Sequence, residues 1–169
     1  MSNTYKRIIN EHIQIYYDLS NTSNVSKINK DIIKEFNYKI YILDLDRLLY
    51  KSIINFVYMG KTHVINIYYN KYYPFEPPQN INVNNINIQN IYTDIINKNK
   101  ILFANRCLFC ESDLCSQNWD ISYNIKYILK EVIKIINYKN LHIEIRLLNS
   151  IINKYSPYEN LDYLYYYLL

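Results

Sequence analysis

Three cysteines fall within nine residues of this 169-residue chain, in the run Arg106-Cys107-Leu108-Phe109-Cys110-Glu111-Ser112-Asp113-Leu114-Cys115. A thiolate attacks carbonyl carbon or binds a soft metal, whereas a neutral thiol packs like a small apolar group. Three chemistries are therefore open: nucleophilic catalysis, metal binding and inert burial. For zinc, Cys107-x2-Cys110 has the form of half a structural site, and Cys115 would be a third ligand. No fourth ligand stands nearby, since His142 is the only downstream histidine and His63 the nearest upstream one; no metal and no cofactor are assigned. For burial, Leu108 and Phe109 give the first two cysteines apolar neighbours. For nucleophilic chemistry, Glu111 and Asp113 would raise the thiol pKa if they lie close in space. Met1 to Arg7 turns polar and then amphipathic, unlike a secretory signal. A reducing compartment is then the default, and structural disulfides are disfavoured.

The elements that must position these thiols are drawn from a lopsided alphabet of 30 Ile, 25 Asn and 21 Tyr, against one Ala and one Gly. A/T-rich codons encode the abundant types, so the excess reads as genome drift of the kind seen in large DNA viruses of protists and other AT-rich genomes. An Asn at any given spacing then has little weight as a motif. Half of the residues are hydrophobic, which supports a core and excludes wholesale disorder. The length suggests a single domain over 1–169. No apolar run approaches the roughly 18–20 residues of a membrane-spanning helix. The net charge of +4 is spread along the chain, whereas nucleic-acid binders gather basic residues on one face or interleave them with exposed aromatics. Neither a nucleic acid nor a membrane is expected as a partner.

Along the chain, Ile8, Ile9, His12, Ile13, Tyr16 and Leu19 recur at helical spacing over 5–19, behind cap candidates Ser2, Asn3 and Thr4. Residues 20–32 read as a polar loop. From Phe36 to Ile42 the period becomes two, and strands follow at 52–59 and 62–70. Gly60, the only glycine, stands between those two strands, where a tight hairpin turn favours φ > 0. Three of the four prolines then crowd into Tyr73-Pro74-Phe75-Glu76-Pro77-Pro78, which must leave the hairpin register. A short strand resumes at 80–83, and periodicity settles nothing over 84–105. Asp120 or Ser122 is placed to cap a helix over 122–138, a second helix follows over 141–155, and Pro157 ends it. Leu161 to Leu169 reads as an aromatic helix or extended tail. The pattern is α+β: an N-terminal helix, a four-stranded antiparallel meander and C-terminal helices.

These residues resemble the ubiquitin-conjugating enzymes. Four features agree in order over 1–138: the basic opening Lys6-Arg7-Ile8, the signature-like Tyr73-Pro74-Phe75-Glu76-Pro77-Pro78, a cysteine shortly before Trp119, and a helix after that tryptophan. The resemblance implies the family's fold, a cis Tyr73–Pro74 bond and thioester transfer. An activated ubiquitin or ubiquitin-like modifier would pass from an activating enzyme to a cysteine and then to a lysine, with a ligase docked. By distance from Trp119, Cys110 matches the acceptor and Cys107 is second. Lys6 and Arg7 match the family's helix-1 docking surface, and Phe75 its ligase-contacting loop. Pro77, Pro78 and Trp119 are structural in this reading, with Trp119 a packed anchor rather than a recognition aromatic. The implied location is the cytoplasm, or a host cytoplasm or viral factory for a viral protein.

The family's His-Pro-Asn tripeptide, whose Asn serves the oxyanion step, has no counterpart here. Asn99, eight residues before Cys107, and Asn105, five before Cys110, are the candidates for that role. A retained cysteine near Trp119 points to an active enzyme; the missing tripeptide points to a silent variant that binds ubiquitin or another conjugating enzyme, or serves a structural end.

Overall fold

The computed structural model describes residues 2–20, 33–98, 107 and 109–155, apart from the side chains of Ser20, Lys98 and residues 141–155. Asn99, Asn105, the 21–32 part of the expected loop, Pro157 and the aromatic tail lie outside the described residues. The chain divides into two compact units, Met1–Ile133 and Lys134–Leu169.

Helix α1 (Asn3–Ser20) begins where Ser2 Oγ accepts the Tyr5 amide at 3.1 Å, so Ser2 is the cap among the three candidates. The same oxygen bonds the Tyr50 hydroxyl at 2.7 Å, tying the cap to the sheet. Thr4 turns instead to the Pro-rich segment, donating to the carbonyls of Lys71 and Tyr73 at 3.2 Å each. Ile8, His12 and Ile15 form the buried stripe of α1.

Strands β1 (Ile33–Asp44), β2 (Leu49–Tyr58), β3 (Lys61–Tyr69), β4 (Asn80–Val83) and β5 (Ile86–Asn87) pair in sequence order, all antiparallel. Alternation buries Tyr50, Ile54 and Phe56 of β2, Ile65 and Ile67 of β3, and Ile81 and Val83 of β4. The expected four strands are five, because the chain reverses once more at Asn84-Asn85. Those residues have φ of 50° and 66°, the sign a two-residue I′ turn demands, between the paired Val83 and Ile86. The Met59-Gly60 turn has the same form, at 50° and 71°, between paired Tyr58 and Lys61. Among the described residues strand β1 is an edge, and its pairing with β2 is interrupted between Lys34 and Asn37 and between Ile42 and Asp44.

Helix α2 (Ile88–Lys98) occupies part of the stretch that periodicity leaves open. Asn87 Oδ1 accepts the Gln89 amide at 2.8 Å at its start, and Ile88, Ile91, Tyr92 and Ile95 are its buried face. Helix α3 runs unbroken over Ile125–Tyr155, where the sequence suggests two helices. Neither Gly nor Pro occurs within it, so no residue stops the backbone ladder. Its cap is neither Asp120 nor Ser122 but Asn124, whose Oδ1 accepts the Lys126 amide at 2.9 Å. Asp120 instead accepts the Ser122 amide at 2.7 Å in the preceding turn. Ile125, Ile128, Leu129 and Val132 are buried along one stripe of the helix. The architecture is α+β, with the N-terminal helix and antiparallel sheet expected. Among the described residues, no helix is long and apolar enough to cross a membrane.

Candidate active site

The Pro-rich segment is held from beneath by Tyr73. Its peptide bond to Pro74 is cis, as the resemblance implies. The Tyr73 ring is buried, with its centroid 4.8 Å from that of Tyr69, and its hydroxyl donates to Glu11 Oε2 at 2.6 Å. Glu11 also accepts from Arg7 Nε at 2.6 Å and from the Ile125 amide at 3.2 Å. Burial pushes the Glu11 carboxyl above its ordinary value, against the pull of the Tyr73 and Arg7 hydrogen bonds. Burial, then the Glu11 charge, raises the Tyr73 phenol, which keeps it a donor.

The expected docking residues fare differently. Lys6 is exposed on α1, and Phe75 stands out from the Pro-rich segment with 76% of its surface exposed. Arg7 is drawn inward: Nη2 donates to the carbonyls of Ile121 at 2.8 Å and Tyr123 at 3.3 Å, while Nε serves Glu11. It joins α1 to the chain entering α3. Gly60 serves the β2–β3 turn described above.

Trp119 joins the Pro-rich segment to the cysteines. Its Nε1–H donates to the Pro74 carbonyl at 2.8 Å, and its ring lies 5.6 Å from Tyr123 and 6.1 Å from Tyr73 between centroids. It is a packed anchor with its polar handle satisfied. A cleft of about 540 Å³ is shared by the two segments, β4 and the start of α2; Phe75, Pro78, Ile81, Ile88, Phe109 and Leu114 are among the residues that line it.

The cysteine segment starts as a single turn, in which the Glu111 amide donates to the Cys107 carbonyl at 3.2 Å and the Ser112 amide to Phe109 at 3.1 Å. Cys107 and Cys110 are exposed and Cys115 is buried. The Cys110 amide donates to Cys107 Sγ at 3.3 Å. The Cys110 thiol hydrogen-bonds the same sulfur and, with that amide, pulls Cys107 below the ordinary thiol value; the Glu111 charge opposes this and is outweighed. Cys110 is pushed up to about 11, first because its proton is held in the bond to Cys107, with Cys115 adding to the effect. Chain distance to Trp119 ranks Cys110 first; the amide hydrogen bond to its sulfur ranks Cys107 first as a thiolate. Among the described residues, no group of three or more His, Cys, Asp or Glu side chains could hold a metal ion.

Four residues that sequence reasoning missed hold this segment. Ser112 is buried and donates to Glu131 Oε2 at 2.6 Å, and Tyr92 Oη reaches the same oxygen at 3.4 Å. Ser112 Oγ also accepts the Leu114 amide at 3.1 Å. Asn118 Nδ2 donates to the Cys110 carbonyl at 2.6 Å and to the Ser112 carbonyl at 3.1 Å. A signal for Glu131 existed in the sequence: a lone acid three residues after Ile128, on the margin of the apolar stripe of its helix. No signal existed for Asn118 among so many asparagines.

The site is thus two irregular segments, one rich in proline and one in cysteine, joined by Trp119 and each bonded to a carboxylate on a helix. No protein family, curated protein or solved structure matches the chain.

Proposed function

We propose that the chain is a divergent ubiquitin-conjugating enzyme, carrying ubiquitin or a ubiquitin-like modifier as a cysteine thioester and passing it to a lysine. The observation that carries this reading is the Trp119–Pro74 hydrogen bond, which ties the Tyr73–Pro78 segment to the chain that follows the exposed cysteines, with Phe75 and Phe109 lining one cleft. In this reading Cys107 is the acceptor. Its thiolate attacks the modifier's thioester carbonyl on the activating enzyme, the new C–S bond forms, and the activating enzyme's thiolate leaves. A lysine amine later attacks that carbonyl, loses its proton, and Cys107 departs as thiolate. The hydrogen bond from the Cys110 amide favours Cys107 as attacking and as leaving group. Lys6 would face the activating enzyme and Phe75 a ligase, in the cytoplasm or in a viral factory.

A catalytically silent binding module is the second reading, and one observation favours it. Oxyanion stabilisation needs a donor directed at the reacting carbonyl, yet the Asn118 amide already serves the Cys110 and Ser112 carbonyls.

Incubation with activating enzyme, ATP and ubiquitin separates the two. The enzyme reading expects an adduct cleaved by reductant, converted in Cys107→Ser to a reductant-resistant, alkali-labile ester. An adduct that survives in Cys107→Ser and vanishes in Cys110→Ser moves the acceptor to Cys110. No adduct on any of the three cysteines leaves the binding module.

A further inference from the structure

Two exposed thiols spaced Cys-x2-Cys on one hydrogen-bonded turn have a chemistry of their own. A helical turn sets Cα atoms of residues i and i+3 about 5 Å apart, inside the roughly 4.4–6.8 Å window that a disulfide tolerates. The Glu111-to-Cys107 and Ser112-to-Phe109 hydrogen bonds define such a turn, and the Cys110 amide donates to the Cys107 sulfur at 3.3 Å. Cys115 is buried, so an oxidant reaches the outer two sulfurs first.

We infer that Cys107 and Cys110 form a reversible dithiol–disulfide pair that a peroxide closes. The Cys107 thiolate attacks a peroxide oxygen; the S–O bond forms, the O–O bond breaks, and the departing hydroxide takes up a proton to give water. The Cys110 sulfur then attacks the sulfenic sulfur of Cys107; the S–S bond forms, the S–O bond breaks, and the leaving hydroxide carries off the Cys110 proton as a second water. The two thiols together lose two electrons and the peroxide gains them. Cys107 is the attacking sulfur because the Cys110 amide donates to it and stabilises its charge. The pair does not depend on the ubiquitin reading. If that reading also holds, the closed pair has no thiolate for a modifier, so oxidation switches transfer off and reductant restores it.

The test uses the full chain and hydrogen peroxide, and needs no activating enzyme, so its outcome is independent of ubiquitin transfer. Free thiols counted under denaturing conditions fall from three to one, the mass falls by about 2 Da as two hydrogens leave, and dithiothreitol reverses both. Cys115→Ser falls from two thiols to none as a monomer. Cys110→Ser stops at the Cys107 sulfenic acid, which dimedone traps. Retention of all three thiols, a link that includes Cys115 in the unsubstituted chain, disulfide-linked dimers, or over-oxidation of Cys107 with Cys110 still free would each overturn the inference.

Discussion

Glu11 and Glu131 do the same task for the two halves of the site by different means. Glu11 on α1 anchors the Pro-rich segment through Tyr73, with a guanidinium as its second partner and the Ile125 amide as its third. Glu131 on α3 anchors the cysteine segment through the Ser112 hydroxyl, with the Tyr92 hydroxyl behind it. The Glu11 side chain keeps 10% of its surface exposed and Arg7 keeps 34%, so water reaches the edge of that cluster. Glu131 is 2% exposed and Ser112 3%. A polar anchor at a wet edge can exchange a lost partner for solvent; an enclosed one cannot. The proline half should tolerate damage that the cysteine half does not.

Glu131→Ala is the strongest challenge to that contrast. It takes the acceptor from the Ser112 and Tyr92 hydroxyls and should lower unfolding free energy by about 3 kcal/mol, measured by urea denaturation, with Cys115 becoming reactive to thiol reagents under native conditions. Glu11→Ala should cost less, about 2 kcal/mol, because Arg7 can hydrate; a larger loss than for Glu131→Ala would reverse the comparison. The smallest effect is pH-dependent and lies beside Glu11. His12 is buried, with Nδ1 2.7 Å from the Ile8 carbonyl, and burial lowers its pKa from 6.5 to about 4. The unfolded chain therefore takes the proton first, and stability is lost as pH falls from 6.5 toward 4. Between about pH 7 and about pH 5.5 the loss should be about 1 kcal/mol. Glu11, whose carboxyl is raised above the ordinary 4.5, works in the opposite sense, since the folded state then takes the proton first as pH falls. His12→Phe should flatten the slope above pH 5.5; an unchanged slope would assign it to other groups.

Rare residues made much of this legible from sequence. Gly60 marked its turn, the three prolines marked where the meander breaks, and Trp119 marked an anchor between segments, because each has few alternative uses in so biased a chain. Asparagine hid as much as these revealed. Asn84 and Asn85 turn the fifth strand, Asn87 and Asn124 open α2 and α3, and Asn118 secures the Cys110 carbonyl. Each acts through a short side chain that accepts or donates to nearby backbone, or through tolerance of left-handed φ. Neither property stands out in a list of 25 such residues. The order of the thiols was hidden for another reason: it depends on which sulfur receives the hydrogen bonds of its neighbour, and spacing along the chain does not encode that.

The interruptions in β1 bear on how so Ile- and Tyr-rich a chain avoids sticking to itself. An edge strand of twelve residues presents a row of backbone groups on which another copy could assemble as a fibril. Regular pairing with β2 runs only from Asn37 to Ile42, and Glu35 on one side of that stretch takes a φ of 53°. A second copy adding to this edge would find a short template bent at both ends, with Lys39 placing a charge near its middle. The irregular edge shortens the template on which a second copy could polymerise, at the end of the sheet opposite β4 and the cleft it lines.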